Sequence, residues 1–194
     1  HTWSADVNLT NPDLLYGIHQ EYVTAGVDYL TTNTFRTTPR AYQKTGLSYK
    51  EAHSTAKISM HNAVQMARKA SNDSIKILGS IAPLEDCYSP DLFPGPDLAT
   101  KEFSVIAEWL ADERIDIFLL ETMNNILETK TCLDVVEKYK LPIWVSFNLL
   151  DSDHIQSGES LKDAIKMVDK FSVDCILLNC NSLNRTLGAL EILA

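Results

Sequence analysis

Residues 116–121 read DIFLLE, and this stretch decides the architecture. Four consecutive apolar residues between two acids are too few for a helix and too uniformly apolar for a strand with one wet face. They spell a strand buried on both faces, as in a parallel sheet. Four more runs of the same kind lie outward from it: VDYLTT at 27–32, KILGSI at 76–81, IWVSF at 143–147 and DCILLN at 174–179. Helical periodicity fills the intervals, at 11–25, 48–70, 97–111, 125–139, 159–170 and from 182 to the end. Asn11, Pro12 and Gly26 give the first of these a cap, a first turn and a stop. Ser48 and Glu51 stand at capping-box spacing. Strands alternating with helices are the signature of parallel βα units. The one long irregular stretch, 82–96, carries four prolines, and long loops in compact domains tend to be functional.

Two architectures satisfy this alternation, the doubly wound open sheet and the closed (β/α)8 TIM barrel. No GxGxxG or GxxxxGK[ST] follows any strand, which removes the nucleotide-binding reason for the open sheet. The polar residues instead gather at the C-terminal strand ends: Thr32, Asn33, Ser80, Glu121, Ser146, Asn179 and Cys180. A barrel carries its site at that rim. Five strands in 194 residues leave three of the eight unaccounted for, since such a barrel takes about 250 residues. The expected fold is therefore α/β, an incomplete barrel of about five strands forming one domain over 1–194.

A formal net charge of −9 disfavours nucleic acid or an anionic membrane surface as partner, because both call for clustered Lys and Arg. Apolar runs fall far short of the roughly 20 residues a spanning helix needs. The four cysteines, Cys87, Cys132, Cys175 and Cys180, show no CxxC pair and no disulfide-scaffold spacing, which points to the reducing cytoplasm. No basic segment followed by an apolar one opens the chain. It begins at His1 rather than Met, so the amino terminus reads as incomplete or processed. A small-molecule partner fits best, and a homo-oligomer is compatible with all of this.

Glu121 closes its strand, where a carboxylate can bind an amine; the plainer reading is a pair with a neighbouring Lys or a helix cap. Cys180 follows the last strand, where a thiolate could bind zinc or act as a nucleophile, against the ordinary fate of a free Cys as a small buried hydrophobe. Cys175, five residues earlier, is expected on the opposite strand face, and Cys132 on a helix. Both read as packing residues, and Cys87 in the proline-rich loop is unassigned. The histidines form no HxH or HExxH, and His19 reads as packed or surface. Asp151 and Asp153 read as solvated loop residues. TTNTF at 31–35 sets two hydroxyls, an amide and an aromatic at a strand terminus, which suits a small polar ligand or merely local capping.

Taken in order, WSA (3–5), NPDLLYGIHQEYVTAGVDYLTTNTF (11–35), GSIAPLEDCY (79–88), DIFLLETM (116–123), PIWVSF (142–147), SGESLKDAI (157–165) and NC (179–180) resemble the homocysteine S-methyltransferase family almost end to end. The resemblance implies a (β/α)8 barrel holding zinc on three cysteine thiolates at its C-terminal mouth, with Cys180 the first. It implies transfer of a methyl group from S-methylmethionine, betaine or methyl-folate to the homocysteine thiolate, giving methionine; the WSA and TTNTF wording leans toward S-methylmethionine. Glu121 matches the residue that holds the homocysteine amino group. Asn33, Phe35 and Trp3 match positions lining the substrate or donor pocket. The family's first strand with its Asp-Gly-Gly motif and its later strands, with the two adjacent cysteines that complete the zinc site, have no counterpart in these residues. The expectation is a domain truncated at both ends and inactive by itself; a non-catalytic half-barrel acting as a scaffold is the alternative.

Overall fold

The computed structural model describes residues 2–72 and 74–193; His1, Asp73 and Ala194 lie outside the described residues, and with them the expected extension of the last helix to the end. In chain order the main elements are α1 (Val7–Thr10), α2 (Pro12–Thr24), β1 (Tyr29–Thr31), α3 (Pro39–Gln43), α4 (Tyr49–Ala70), β2 (Lys76–Ile81), α5 (Pro96–Asp112), β3 (Ile117–Met123), α6 (Ile126–Val136), β4 (Ile143–Phe147), α7 (Leu161–Val168), β5 (Cys175–Leu178) and α8 (Leu183–Leu193). Short 3-10 turns cover Trp3–Asp6, Pro90–Leu92 and Glu137–Tyr139. The chain is mixed α/β with five parallel strands, ordered β1-β2-β3-β4-β5 as in the sequence. It divides into two compact units, the first comprising 1–81 and 106–118 and the second 82–105 and 119–194.

In the first unit, β1 and β2 pair in parallel with Leu30 opposite Ile77. The longest helix, α4, opens on the capping box of Ser48 and Glu51. Its buried residues, Ala52, Ala56, Ser59, Met60, Ala63, Val64, Ala67 and Ala70, recur every three or four positions and form one continuous stripe. Alanines dominate that stripe, so backbones approach closely, and Met60 and Val64 supply the bulk; each fully buried side chain of that size contributes about 1.5–3 kcal/mol. The same economy governs Gly79 in β2, where a Cβ would come within 2.5 Å of the Ile115 side chain.

In the second unit, β4 and β5 pair in parallel, Val145 opposite Ile176. Asp174 locks their start: its Oδ2 accepts from the Ile143 N–H at 2.8 Å while its own N–H donates to the Ile143 carbonyl at 2.8 Å. Within the first unit Asp116 repeats the device, its Oδ2 accepting from the Ile77 N–H at 2.8 Å and its N–H donating to the Ile77 carbonyl at 2.9 Å. One aspartate just ahead of a strand thus fixes register with its neighbour and satisfies a strand-end donor that would otherwise be orphaned. Among the described residues no helix is long and apolar enough to cross a membrane.

Three expectations shift. β3 does not end at Glu121 but runs to Met123, because the Met123 carbonyl still accepts from the Asn148 N–H at 3.1 Å. β5 stops at Leu178, and at Cys180 the backbone turns into the left-handed region at φ 57°. Two-residue alternation therefore cannot be extended from Cys175 to Cys180, and Cys175 sits half-buried in the strand opposite Trp144 rather than on a face defined against Cys180. The loop 82–96 also carries a turn of 3-10 helix and is pinned from below by side chains of its own unit.

Candidate functional site

The second unit brings its strand ends together through one amide. Asn179, just past β5, accepts at Oδ1 from the Ser146 hydroxyl at 2.7 Å. Its Nδ2 donates to the Thr122 hydroxyl oxygen at 2.7 Å and to the Cys180 sulfur at 3.5 Å. The Thr122 hydroxyl lies 3.9 Å from the same sulfur. Ser146 and Thr122 are buried, whereas Cys180 is exposed. Thr122 adopts φ 60°, an unfavourable conformation for a β-branched residue, and follows the half-buried Glu121. Such a residue persists only where its surroundings hold it, and here the Asn179 amide does so.

The proline-rich loop closes on the same cluster. Side-chain amides of Asn124 and Asn148 both donate to the Cys87 carbonyl, at 3.3 and 3.0 Å. The Leu84 N–H donates to Glu128 at 2.8 Å. Cys87 is consequently buried, and the next residue, Tyr88, stands half-exposed beside Cys180. The Tyr88 phenol is held above its usual range by partial burial first, then by the charges of the Cys180 and Cys87 sulfurs and a hydrogen bond to Cys180. Cys132 is fully buried in α6, and desolvation, with Glu128 nearby, pushes its thiol well up, as befits a packing residue.

The first unit assembles a different cluster from Trp3, Asn33 and Phe35. The Trp3 and Phe35 rings stack with centroids 5.7 Å apart and planes 27° from parallel, and the Arg36 guanidinium lies 5.4 and 5.2 Å from the two rings. Trp3 remains 57% exposed. The Asn33 amide is engaged within the protein: Nδ2 donates to the Ser4 carbonyl at 3.0 Å and to Asn8 Oδ1 at 2.8 Å, and Oδ1 accepts from the Ser4 hydroxyl at 2.7 Å. Asn33 thus ties the Trp3 turn to β1. His19 is buried, which lowers its pKa from 6.5. Asp151 is exposed yet ordered, accepting from the Asp153 and His154 N–H groups at 2.8 and 2.9 Å and facing the His154 ring, so its carboxyl is held low.

As a thiol that is exposed, at a strand end and already approached by donors, Cys180 fits one thiolate position of a zinc site. Among the described residues no three His, Cys, Asp or Glu gather closely enough to hold a metal ion. The sequence points to Cys180 but does not mark Thr122 or Asn179 as its hydrogen-bond partners. Asn179 and Ser146 were visible as polar strand ends; nothing in the letters announces a left-handed threonine.

A parallel α/β protein with a polar cluster and a free thiol past its C-terminal strand ends belongs to the class in which small-molecule chemistry is done at that rim. More specifically, the chain belongs to the homocysteine S-methyltransferase family, whose model matches residues 1–194. It is 28% identical to the homocysteine S-methyltransferase of Escherichia coli over 97% of this chain and 65% of the relative, and 26% identical to homocysteine S-methyltransferase 1 of Arabidopsis thaliana over 92% and 61%. A selenocysteine Se-methyltransferase of Brassica oleracea is 28% identical over 92% of this chain and 58% of its own length. The chain therefore spans less than two thirds of these relatives. The crystal structure of the E. coli homocysteine methyltransferase MmuM in its metallated form superposes with a TM-score of 0.88 at 27% identity, covering 98% of this chain and 71% of that one.

Proposed function

We propose that this chain is the homocysteine-binding part of a cytoplasmic enzyme that moves a methyl group from an activated donor to the sulfur of homocysteine, giving methionine, on a (β/α)8 barrel. The observation that carries this reading is the Cys180 thiol just past β5, in the same unit as Glu121 in the C-terminal half of β3, in a chain whose residues 1–194 match the family model. Glu121 holds the substrate ammonium, a charge-assisted bond in a half-buried setting. Zinc, when bound, supplies Lewis acidity that keeps the homocysteine sulfur a thiolate at neutral pH. Cys180 is one donor to it, and the other thiolates come from the part of the enzyme these 194 residues do not span. A metallated form of the E. coli homocysteine methyltransferase supports the presence of a metal. The sulfur lone pair forms a bond to the methyl carbon while the bond from that carbon to the donor heteroatom breaks, its electron pair leaving with the donor.

Trp3, Asn33 and Phe35 of the first unit, by the family resemblance, are substrate- or donor-binding residues. Arg36 already lies over both rings, so the lean toward S-methylmethionine rests on the family likeness of WSA and TTNTF rather than on a free aromatic face. The deciding experiment supplies the full-length protein with homocysteine and, separately, S-methylmethionine, betaine or methyl-folate, and follows methionine by mass spectrometry. Methionine with S-methylmethionine is expected. Selenocysteine as acceptor probes the likeness to the Brassica relative. No product with any donor, from folded protein, overturns the reading in favour of a non-catalytic scaffold.

A further inference from the structure

We infer that Asn179 is a positioning residue that aims the Cys180 thiolate, with Ser146 fixing the amide in the orientation that makes this work. The inference rests on the proposed role of Cys180 and assigns how that role is maintained.

Every polar atom of the Asn179 side chain is committed. Oδ1 accepts from the Ser146 hydroxyl, and a flipped amide would turn Oδ1 onto the Cys180 thiolate, two acceptors with no proton between them. With the amide so fixed, both Nδ2 hydrogens face the other way, one to the Thr122 hydroxyl oxygen and one to the Cys180 sulfur. The linkage therefore runs from a buried anchor on β4, through Asn179, to the one member of the group that is exposed. Cys180 needs such a guide. Its backbone is already turned to φ 57°, outside the strand, so no ladder hydrogen bond fixes where its Cβ points. Thr122, at φ 60°, is held by the same amide, which places its hydroxyl 3.9 Å from the sulfur on a second side. With the Tyr88 phenol, which also hydrogen-bonds Cys180, these donors limit the rotamers of the thiolate and spread its negative charge. Partners that orient a metal-binding side chain in this way are worth about tenfold to a hundredfold in metal retention.

The test uses the full-length protein with its metal and measures the rate of zinc release to a chromogenic chelator, beside thermal stability and the separate kcat and KM for homocysteine. Asn179→Ala and Asn179→Asp should each release zinc about tenfold faster or more. Ser146→Ala should do so by a smaller factor, and Ser146→Thr, which keeps the hydroxyl, should restore the slow rate. Should the Asn179 variants fail to fold, the Ser146 pair carries the test alone. Release rates equal to wild type across the folded variants, or a fall in Tm with no change in release, would overturn the inference. Cys180→Ser keeps the two ideas apart: if that variant retains stoichiometric zinc, the functional reading itself fails, whereas its loss together with unaltered Asn179 and Ser146 variants sinks only the positioning role.

Discussion

The strand ends of the two units use the same kinds of residue to opposite effect. In the first, the Thr32 and Thr34 hydroxyls lie 2.8 Å apart, Thr32 donates to the Leu78 carbonyl at 3.1 Å and Thr34 to the Ser80 carbonyl at 2.7 Å. The Ser80 N–H returns to the Thr32 hydroxyl at 3.2 Å. All three residues are buried, and these bonds act as a bolt between β1 and β2. In the second unit the sequence Ser146 to Asn179 to Thr122 begins just as deep but ends on an exposed sulfur. Composition does not distinguish a polar bolt from a polar site. What does is whether the last acceptor is another buried group or one facing solvent.

The largest expected effect tests whether the second unit really carries the substrate side. Glu121→Gln in the full-length protein keeps shape and removes charge, so homocysteine affinity should fall by about one to two decades, the equivalent of roughly 1.5–3 kcal/mol for a charge-assisted bond. Affinity for the methyl donor should change little. Calorimetric titration with each ligand reads both numbers. Equal affinity for homocysteine in wild type and variant would break the contrast between the units, leaving Glu121 a structural residue like those of the first.

Much of this was legible in the letters. β2 and β4 fall where the apolar runs place them, at Lys76–Ile81 and Ile143–Phe147, because both are flanked by unambiguous helix or turn signals. Asn11 and Ser48 cap the helices they were expected to cap, since a hydroxyl or amide ahead of an amphipathic run has one obvious use. The C-terminal end of β3 was misjudged because acidity at Glu121 looks like termination, while strand length is set by the pairing of Met123 with Asn148, a contact 25 residues distant. Short helices α1 and α3 escaped notice, being too brief to show a period. The aspartate lock was present in plain sight as ID and VD ahead of β3 and β5, but its meaning needs the neighbouring strand. Position and family likeness point to Glu121 and Cys180; the hydrogen-bond partners of Cys180 depend on backbone angles, to which residue types give no direct access.

A middling effect sharpens the other half of the contrast. Asn33→Ala removes the bonds to Ser4 and Asn8 and exposes the latter's buried amide to a lost partner, a change worth about 1–3 kcal/mol. Urea denaturation should register that loss. Because Asn33 tethers the turn bearing Trp3, KM for the methyl donor should rise while homocysteine affinity holds. A variant with wild-type stability and impaired homocysteine binding would mean that Asn33 touches the amino acid directly.

The smallest effect comes from the hydrophobic side of the first unit. His19 lies on α2 with Leu15, the helix packs on α4, and the Nε2 of His19 is buried without a hydrogen-bond partner among the described residues. Charging the ring there strips water from an imidazolium and offers nothing in return, so its pKa in the folded protein lies below the ordinary 6.5. As pH falls through 6.5 the unfolded chain takes up the proton first, and stability declines with it. The decline continues until the folded pKa is reached, below which both states carry the proton and this contribution levels off; above 6.5 the full stability is present. Melting temperatures from pH 8 to pH 5 should therefore drop in wild type, and His19→Gln, which cannot charge in that range, should flatten the slope on the histidine side without altering homocysteine affinity at pH 8. An unchanged slope in the variant would show that His19 reaches solvent readily enough to titrate as it does in the unfolded chain.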